Sequence, residues 1–202
     1  MIPFPKKKYN IIYADPAWHF KTWSKKGHKK SAVNHYETMN LNDLCNLPIE
    51  KISEKNCILF IWVLDPMLPE ALDVIKAWGF KIKTVAFTWV KKNKKTDSLF
   101  TGLGYWTRSN PEMCLLATKG HPKRQSKRVR QVVIDKLREH SRKPDCIRNR
   151  IIELCGDLPR IELFARQKTP GWDVWGNEVW PGLLKKWTLS YWTILIWIAM
   201  KN

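Results

Sequence analysis

Cys57-Ile58-Leu59-Phe60-Ile61-Trp62-Val63 places seven apolar residues in a row with no polar alternation. A strand with one wet face alternates, so a short continuous apolar run reads as a strand covered on both faces. The neighbouring runs fit around it. Ile11 to Ala14 is a short buried strand upstream. Downstream, Pro66 to Trp78 reads as a helix, with Leu68, Ala71, Leu72 and Ile75 on one side and Gly79 closing it. Ile82 to Val90 is a partly alternating strand, Glu112 to Thr118 another, ended by Lys119-Gly120, and Val132 to Ile134 a short one. Pro144 suits the first position of a helix reaching Cys155, striped by Ile147, Ile151 and Leu154 and stopped by Gly156. Arg160 to Ala165 reads as the last strand. Strands alternating with helices predict an α/β fold, a mostly parallel sheet with helices on both faces. Ligands of such sheets bind beyond the carboxyl ends of the strands, so the residues just after each strand carry the functional reading.

The 202 residues, 44% apolar and 27% charged, fit a soluble globular chain of one domain with a short appendage. The expected division is a catalytic domain over residues 1–180 and an apolar extension over 181–202. Lys and Arg number 36 against 18 Asp and Glu, so the net charge is 36 − 18 = +18. That excess points to a polyanionic partner or a membrane surface, not to any fold. No repeat appears at a solenoid period. The five cysteines, Cys45, Cys57, Cys114, Cys146 and Cys155, are odd in number and form no C-x-x-C pair. They read as reduced thiols of a cytoplasmic protein, and no metal site is expected. Residues 1–9 carry three lysines but no apolar signal segment.

Asp15-Pro16-Ala17-Trp18 follows the first strand directly. The 6-amino group of adenine is a poor nucleophile because its lone pair is delocalised into the ring. A carboxylate and a backbone carbonyl that accept both amine hydrogens localise that pair. Asp15 offers the carboxylate, and Pro16, without a backbone donor, offers its carbonyl in a rigid turn. Trp18 offers a flat surface for a base swung out of its helix. The alternative is structural: Asp15 capping a turn and Trp18 packed on the core, which for an isolated tetrapeptide is the better reading.

The company that the tetrapeptide keeps changes this. YNIIYADPAW (Tyr9–Trp18), HYETM (His35–Met39), ILFIWV (Ile58–Val63), AWGF (Ala77–Phe80), WVK (Trp89–Lys91), GLGYWTRSNPEMCLLATKG (Gly102–Gly120), HSRKPDCI (His140–Ile147), RIELFAR (Arg160–Arg166) and GWDVWGNE (Gly171–Glu178) occur in this order. In these pieces the chain resembles the adenine 6-amino methyltransferases typified by the catalytic subunit of the eukaryotic messenger-RNA methyltransferase. The resemblance runs from about Tyr9 to Glu178. It implies a Rossmann-like methyltransferase dependent on S-adenosyl-L-methionine, with the catalytic tetrapeptide ahead of the cofactor-binding strand. By this likeness Asp15, Pro16, Ala17 and Trp18 are catalytic, and Asp15 also touches the cofactor. Lys143 matches the lysine that pairs with the cofactor carboxylate. Arg166 and Asn177, with Glu178 beside it, match the ribose region. Glu162 matches a recurrent acidic position. The turn here reads D-P-A-W where the common form has two prolines, and Gln167-Lys168 replaces the His-Asn of the animal enzyme.

Three basic loops supply the expected nucleic-acid contacts: Lys21 to Lys30 (Lys21, Lys25, Lys26, Lys29, Lys30), Lys91 to Lys95, and Lys119 to Lys143 (Lys123, Arg124, Lys127, Arg128, Arg130 within it). Two of them follow strand ends, which would put their charge on the ligand-binding rim. Trp23, His28, His35 and Tyr36 are candidates beside a base. The compact build resembles phage and bacterial members, which act mainly on DNA. DNA adenine is therefore the expected substrate, with RNA adenine, or a binding-only subunit, as the alternatives. The run Trp187 to Met200 is too short to span a bilayer. Docking on the core or on a second subunit, as a homo- or heterodimer, is preferred for it over a membrane interface or a disordered extension.

Overall fold

The computed structural model describes residues 3–19, 39–104, 106–139 and 142–179. The elements in chain order are β1 (Tyr9–Ala14), α1 (Leu41–Cys45), α2 (Ile49–Ile52), β2 (Ser53–Val63), a 3-10 turn (Asp65–Met67), α3 (Leu68–Ala77), β3 (Lys81–Lys92), β4 (Glu112–Lys119), β5 (Val132–Lys136), α4 (Cys146–Cys155), β6 (Arg160–Leu163) and β7 (Asp173–Trp175). One sheet holds all seven strands in the order β5-β3-β4-β2-β1-β6-β7. The pairs β1–β2, β1–β6, β6–β7 and β3–β5 are parallel; β4 runs antiparallel to both β2 and β3.

The apolar run of β2 is buried on both faces, and its side chains divide by parity. Cys57, Leu59, Ile61 and Val63 join one core with Ile12, Ala14, Leu44, Ile49, Ala71, Val74, Ile75 and Trp78, so α1, α2 and α3 cover that face. Ile58, Phe60 and Trp62 join the other core with Ile11, Tyr13, Phe87, Trp89, Ile147, Ile151 and Cys155, so α4 covers the opposite face. Full burial of such side chains contributes on the order of 2 kcal/mol each.

Several elements differ from the sequence reading. Proline at position 66 sits in the 3-10 turn rather than in α3. Leu72 is exposed, because α3 turns Ala71, Val74 and Ile75 inward instead. Helix α4 begins at Cys146, two residues past Pro144. The RIELFA strand stops at Leu163, since Phe164 adopts a left-handed backbone (φ 61°). For a residue with a Cβ that conformation costs on the order of 1 kcal/mol, and it redirects the chain toward the sheet edge. Strand β7 and the short helices α1 and α2 are additional.

The antiparallel β4 has one consequence for the site. Its first residue, Glu112, lies opposite Trp89 near the carboxyl end of β3, next to Met113 opposite Val63 at the end of β2. Glu112 therefore shares an edge with Asp15, which follows β1. The other end of β4, Lys119, lies opposite Cys57 near the start of β2, with Thr118 opposite Lys81 at the start of β3. Gly120 follows with φ 66°, and a Cβ there would fall 2.3 Å from the Lys55 carbonyl, so glycine is required for the turn.

Candidate active site

Asp15 leaves the sheet at the end of β1. Lys143, from the segment that leads into α4, places Nζ 2.8 Å from Asp15 Oδ1 and 3.0 Å from Oδ2. The same Nζ lies 3.2 Å from Glu112 Oε2, and Lys91 Nζ lies 2.8 Å from Glu112 Oε1. Two carboxylates and two ammonium groups thus form a chain across the ends of β1, β4 and β3. Lys143 also stands 5.4 Å above the Trp62 ring.

The charges of this chain depend on one another. Burial alone would depress the Lys143 pKa, but Asp15 and Glu112 more than offset it and hold the ammonium above its ordinary value. Burial alone would raise the Glu112 pKa, but Lys143 and Lys91 outweigh it and hold the carboxyl below the usual range. Glu112 has no counterpart among the sequence candidates. It reads in the sequence as the first residue of a strand, and only the antiparallel direction of β4 brings it to the site.

The turn after Asp15 is tight. Trp18 N donates to the Pro16 carbonyl at 2.9 Å, and Met39 N donates to the Ala17 carbonyl at 3.3 Å. A carbonyl oxygen carries two lone pairs, so the Pro16 oxygen retains acceptor capacity. Trp18 itself is 4% exposed and packs in the core. Its Nε1 donates to the buried Trp62 carbonyl at 3.0 Å. The stacking surface expected of Trp18 is therefore corrected: the buried indole anchors the turn to β2 through the hydrogen bond of its N–H to the Trp62 carbonyl.

An open cleft beside Asp15 is lined by Tyr13, Arg142, Lys143, Arg148, Glu162, Phe164, Arg166 and Gln167. Arg148 grips Glu162 through two hydrogen bonds of 2.7 and 2.6 Å and lies 5.9 Å over the Tyr13 ring. Burial raises the Glu162 carboxyl above its ordinary value against the pull of Arg148. Burial, then Cys114, Glu162 and Asp15, raise the Tyr13 phenol well above its own, so it stays protonated while it accepts from Trp62 Nε1 at 2.7 Å. Arg142 binds Asp145. Arg166 stands 3.7 Å from Glu178. Asn177 and Glu178 are exposed just past β7.

Of the sequence candidates, the structure brings Asp15, Lys143, Glu162 and Arg166 to this cleft, with Glu178 tied to Arg166. Lys143 is enclosed by Asp15 and Glu112 rather than held out alone toward a ligand. Tyr13, Arg142 and Arg148 join it without having been singled out, with Trp62 buried against Tyr13 and Lys143; Arg142 and Arg148 flank Pro144 and carried the only sequence signal, a cation near a helix start. Lys91, placed on a phosphate-binding rim by its loop, is instead held by Glu112. Lys123, Arg124, Lys127, Arg128 and Arg130 are exposed, but their segment begins at the edge remote from Asp15. Strand β4 carries the chain away from the site, and the segment returns along β3 to Gln131, whose carbonyl accepts from Thr88 N opposite Met113, the neighbour of Glu112. Lys21, Lys25, Lys26, Lys29, Lys30, Trp23, His28, His35 and Tyr36, and the extension 181–202, lie outside the described residues. Among the described residues no cluster of three or more His, Cys, Asp or Glu gathers as a metal would require, and no helix is long and apolar enough to cross a membrane.

The MT-A70 family profile matches residues 9–178, from the first residue of β1 to the glutamate beside Arg166. The chain belongs to the MT-A70 family. It is a methyltransferase of that family, similar over 192 residues at 35% identity to the type II methyltransferase M.MunI of Mycoplasma sp, covering 87% of this chain and 79% of that one. It is 27% identical over 176 residues to the human N(6)-adenosine-methyltransferase catalytic subunit METTL3, covering 85% of this chain and 28% of that one. The Drosophila melanogaster N(6)-adenosine-methyltransferase MT-A70-like protein is 28% identical over 176 residues, covering 85% and 27%. The chain thus spans most of the length of the Mycoplasma relative and about a quarter of these two animal relatives.

Proposed function

We propose that this methyltransferase transfers a methyl group from S-adenosyl-L-methionine to the 6-amino group of adenine in DNA. The observation that carries the proposal is the Asp15 carboxylate at the end of β1, on the wall of an open cleft and fixed through both oxygens by Lys143, with the Pro16 carbonyl next to it in the chain. Each Asp15 oxygen has a lone pair beyond the one that faces Lys143. Asp15 and the Pro16 carbonyl accept the two amine hydrogens, which localises the nitrogen lone pair as it becomes tetrahedral. Lys143 and Trp18 keep this pair of acceptors from moving, so their geometry costs no reorganisation during transfer.

The donor set of the cleft fits the proposed cofactor. Arg142, Lys143 and Arg166 supply cations for a carboxylate, Glu162, Gln167 and the protonated Tyr13 supply partners for ammonium and hydroxyl groups, and Phe164 supplies an aromatic face. Glu178, beside Asn177 past β7, is tied to Arg166 of the cleft. When bound, a sulfonium donor supplies an electrophilic methyl group. The carry-over of Lys143 to the cofactor carboxylate stays part of this proposal, with its grip on Asp15 as a second role.

The likeness to the type II methyltransferase M.MunI, at 35% identity over 192 residues, supports DNA over RNA. The cations of residues 21–30 are proposed to hold the substrate strand near the turn. Free thiols at all five cysteines support a reducing, cytoplasmic setting in a bacterium or phage. Incubation with labelled S-adenosyl-L-methionine and single- and double-stranded DNA and RNA, followed by nucleoside mass spectrometry, tests base and sugar together. The expected product is 6-methyladenine in DNA; label only in RNA, or on another base, overturns the assignment.

A further inference from the structure

Residues 93–111 link the end of β3 to the start of β4, at the edge of the sheet that holds Asp15 and Glu112. Three large apolar side chains of this link are exposed: Leu99, Leu103 and Trp106, the last at 99%. Single exposed leucines are ordinary on a surface. An indole wholly in water is not, because it forgoes one of the largest apolar burials open to a side chain. Trp106 is the only exposed aromatic among the described residues. With Trp18 buried against β2, it is the most accessible aromatic plane at this edge.

The indole stands on a stapled turn rather than a slack loop. Asn110 Oδ1 accepts from Lys91 N at 2.9 Å, and its Nδ2 donates to the Lys91 carbonyl at 2.9 Å and the Phe100 carbonyl at 2.5 Å. Gly102 N donates to the Ser109 carbonyl at 2.6 Å and closes a turn over 102–109. At its tip Gly104 has φ 66°, and a Cβ there would fall 1.8 Å from the Thr107 carbonyl oxygen, so glycine is required where the two backbones meet. Trp106 sits inside that innermost turn. The base of the turn touches Lys91, which holds Glu112, and Glu112 shares Lys143 with Asp15. Four residues of chain separate Trp106 from Asn110, so the two Cα atoms lie at most about 14 Å apart.

An adenine that reaches Asp15 has left its stack, and the duplex resists the hole that remains. An apolar or aromatic side chain that enters the hole replaces part of the lost stacking. The charge of the link favours such a partner. Lys94, Lys95 and Arg108 are exposed, and the single acid, Asp97, is taken up by Lys92 and Lys136. A second copy of this chain, at net charge +18, would bring like charge to the same tip.

We propose that Trp106 is a positioning residue for methyl transfer, a wedge whose indole enters the DNA duplex where the modified adenine leaves it. The wedge rests on the reading of DNA adenine as substrate and deepens it, because it assigns the enzyme to paired DNA and names the group that holds the gap open. Asp15 handles the base outside the helix, and Trp106 occupies the place the base has left.

The test measures Kd by fluorescence anisotropy for two labelled 20-base-pair duplexes, one intact and one with a single abasic site opposite thymine. The hole is then already present, and no adenine is freed to enter the cleft. The proteins are the full chain, W106A and W106F. The wild-type protein is expected to bind the abasic duplex about tenfold more tightly than the intact one, the scale of one base–aromatic stack. W106A is expected to bring that ratio close to one, and W106F to keep most of it. On intact duplex DNA at saturating S-adenosyl-L-methionine, single-turnover methylation should fall at least about tenfold in W106A and recover in W106F. Equal affinity of the wild-type protein for both duplexes overturns the proposal, and so does an unchanged ratio or an unchanged rate in W106A. A loss in W106F as complete as in W106A also overturns it, because an aromatic plane survives that change. Light scattering is run in parallel; a wild-type dimer that W106A splits, with no preference for the abasic duplex, reassigns the tip to a subunit contact and overturns the proposal. The methylation reading is scored separately, by mass spectrometry of the wild-type reaction. Absence of 6-methyladenine alongside a Trp106-dependent preference for the abasic duplex removes that reading and leaves the wedge as a DNA contact. Formation of 6-methyladenine in duplex DNA without that preference keeps the reading and removes the wedge.

Discussion

Replacing Lys143 by Met keeps the length of the side chain and removes the charge between Asp15 and Glu112. The wild-type ammonium touches Asp15 at 2.8 and 3.0 Å and Glu112 at 3.2 Å, with 10% of its side chain exposed. Removing one partner of a buried ion pair costs about 3–5 kcal/mol, mostly as the penalty of the stranded charge. The lower end applies here, because Lys91 still holds Glu112 and Asp15 is 22% exposed. About 3 kcal/mol corresponds to a fall in Tm of roughly 10 °C for a chain of this size. The pH dependence adds a second check. The Glu112 pKa is depressed in the fold, so its contribution is present above its ordinary 4.5 and lost as pH falls below that value. The Lys143 pKa is raised, so its contribution is present below its ordinary 10.5 and lost only at more alkaline pH. The deficit of K143M should therefore be full between about pH 5 and 10 and should shrink below about pH 4, as the Glu112 carboxyl protonates. Urea unfolding at pH 7 and pH 3.5 measures both. A deficit under about 1 kcal/mol at pH 7, or one that does not change at acid pH, would refute the charge chain.

Other perturbations separate the remaining contacts. Trp18→Phe keeps most of the packing but removes the hydrogen bond to the Trp62 carbonyl, and should lower stability by about 1 kcal/mol in chemical denaturation; no change would mean that the indole N–H does not hold the turn. Arg148→Met strands Glu162, whose carboxyl is already raised by burial. The deficit should be small near pH 4 and grow as pH rises above the ordinary glutamate value, reaching about 3 kcal/mol at pH 7, and Arg148→Met/Glu162→Leu should recover most of it. Lys143→Ala should weaken S-adenosyl-L-methionine binding in calorimetry more than it weakens binding of a short DNA; the reverse order would confine Lys143 to the substrate side.

The fold was largely legible because β2 is buried on both faces. The unbroken run Cys57 to Val63 reports exactly that environment, and the helix after it follows from its periodicity and its Gly79 stop. Elements that rely on neighbours were not legible. Strand β7 has three residues, and α1 and α2 have five and four, too few for any periodic signal. The positive φ of Phe164 has no sequence mark, since the residue type opposes it. In the site, Asp15 was legible from its place after an apolar strand, and Lys143 from its place before a helix. Trp18 was not separable between stacking and core, because an indole serves both and only its burial distinguishes them. Glu112 was not legible because its place in the site depends on the direction of β4, and an apolar run such as EMCLLATK reads the same in either direction.

The central claim is that the Asp15 carboxylate receives the adenine amine at a turn fixed by Lys143 and Trp18. Its most direct test is single-turnover methyl transfer by the wild-type protein and Asp15→Asn at saturating S-adenosyl-L-methionine, with 6-methyladenine counted by mass spectrometry and donor affinity measured on the same samples. The expected result is a loss of at least about 100-fold in the rate of transfer, of the order seen when one preorganised polar contact to a transition state is removed, with donor affinity changed far less. Transfer by Asp15→Asn within a few-fold of the wild-type rate would contradict the claim.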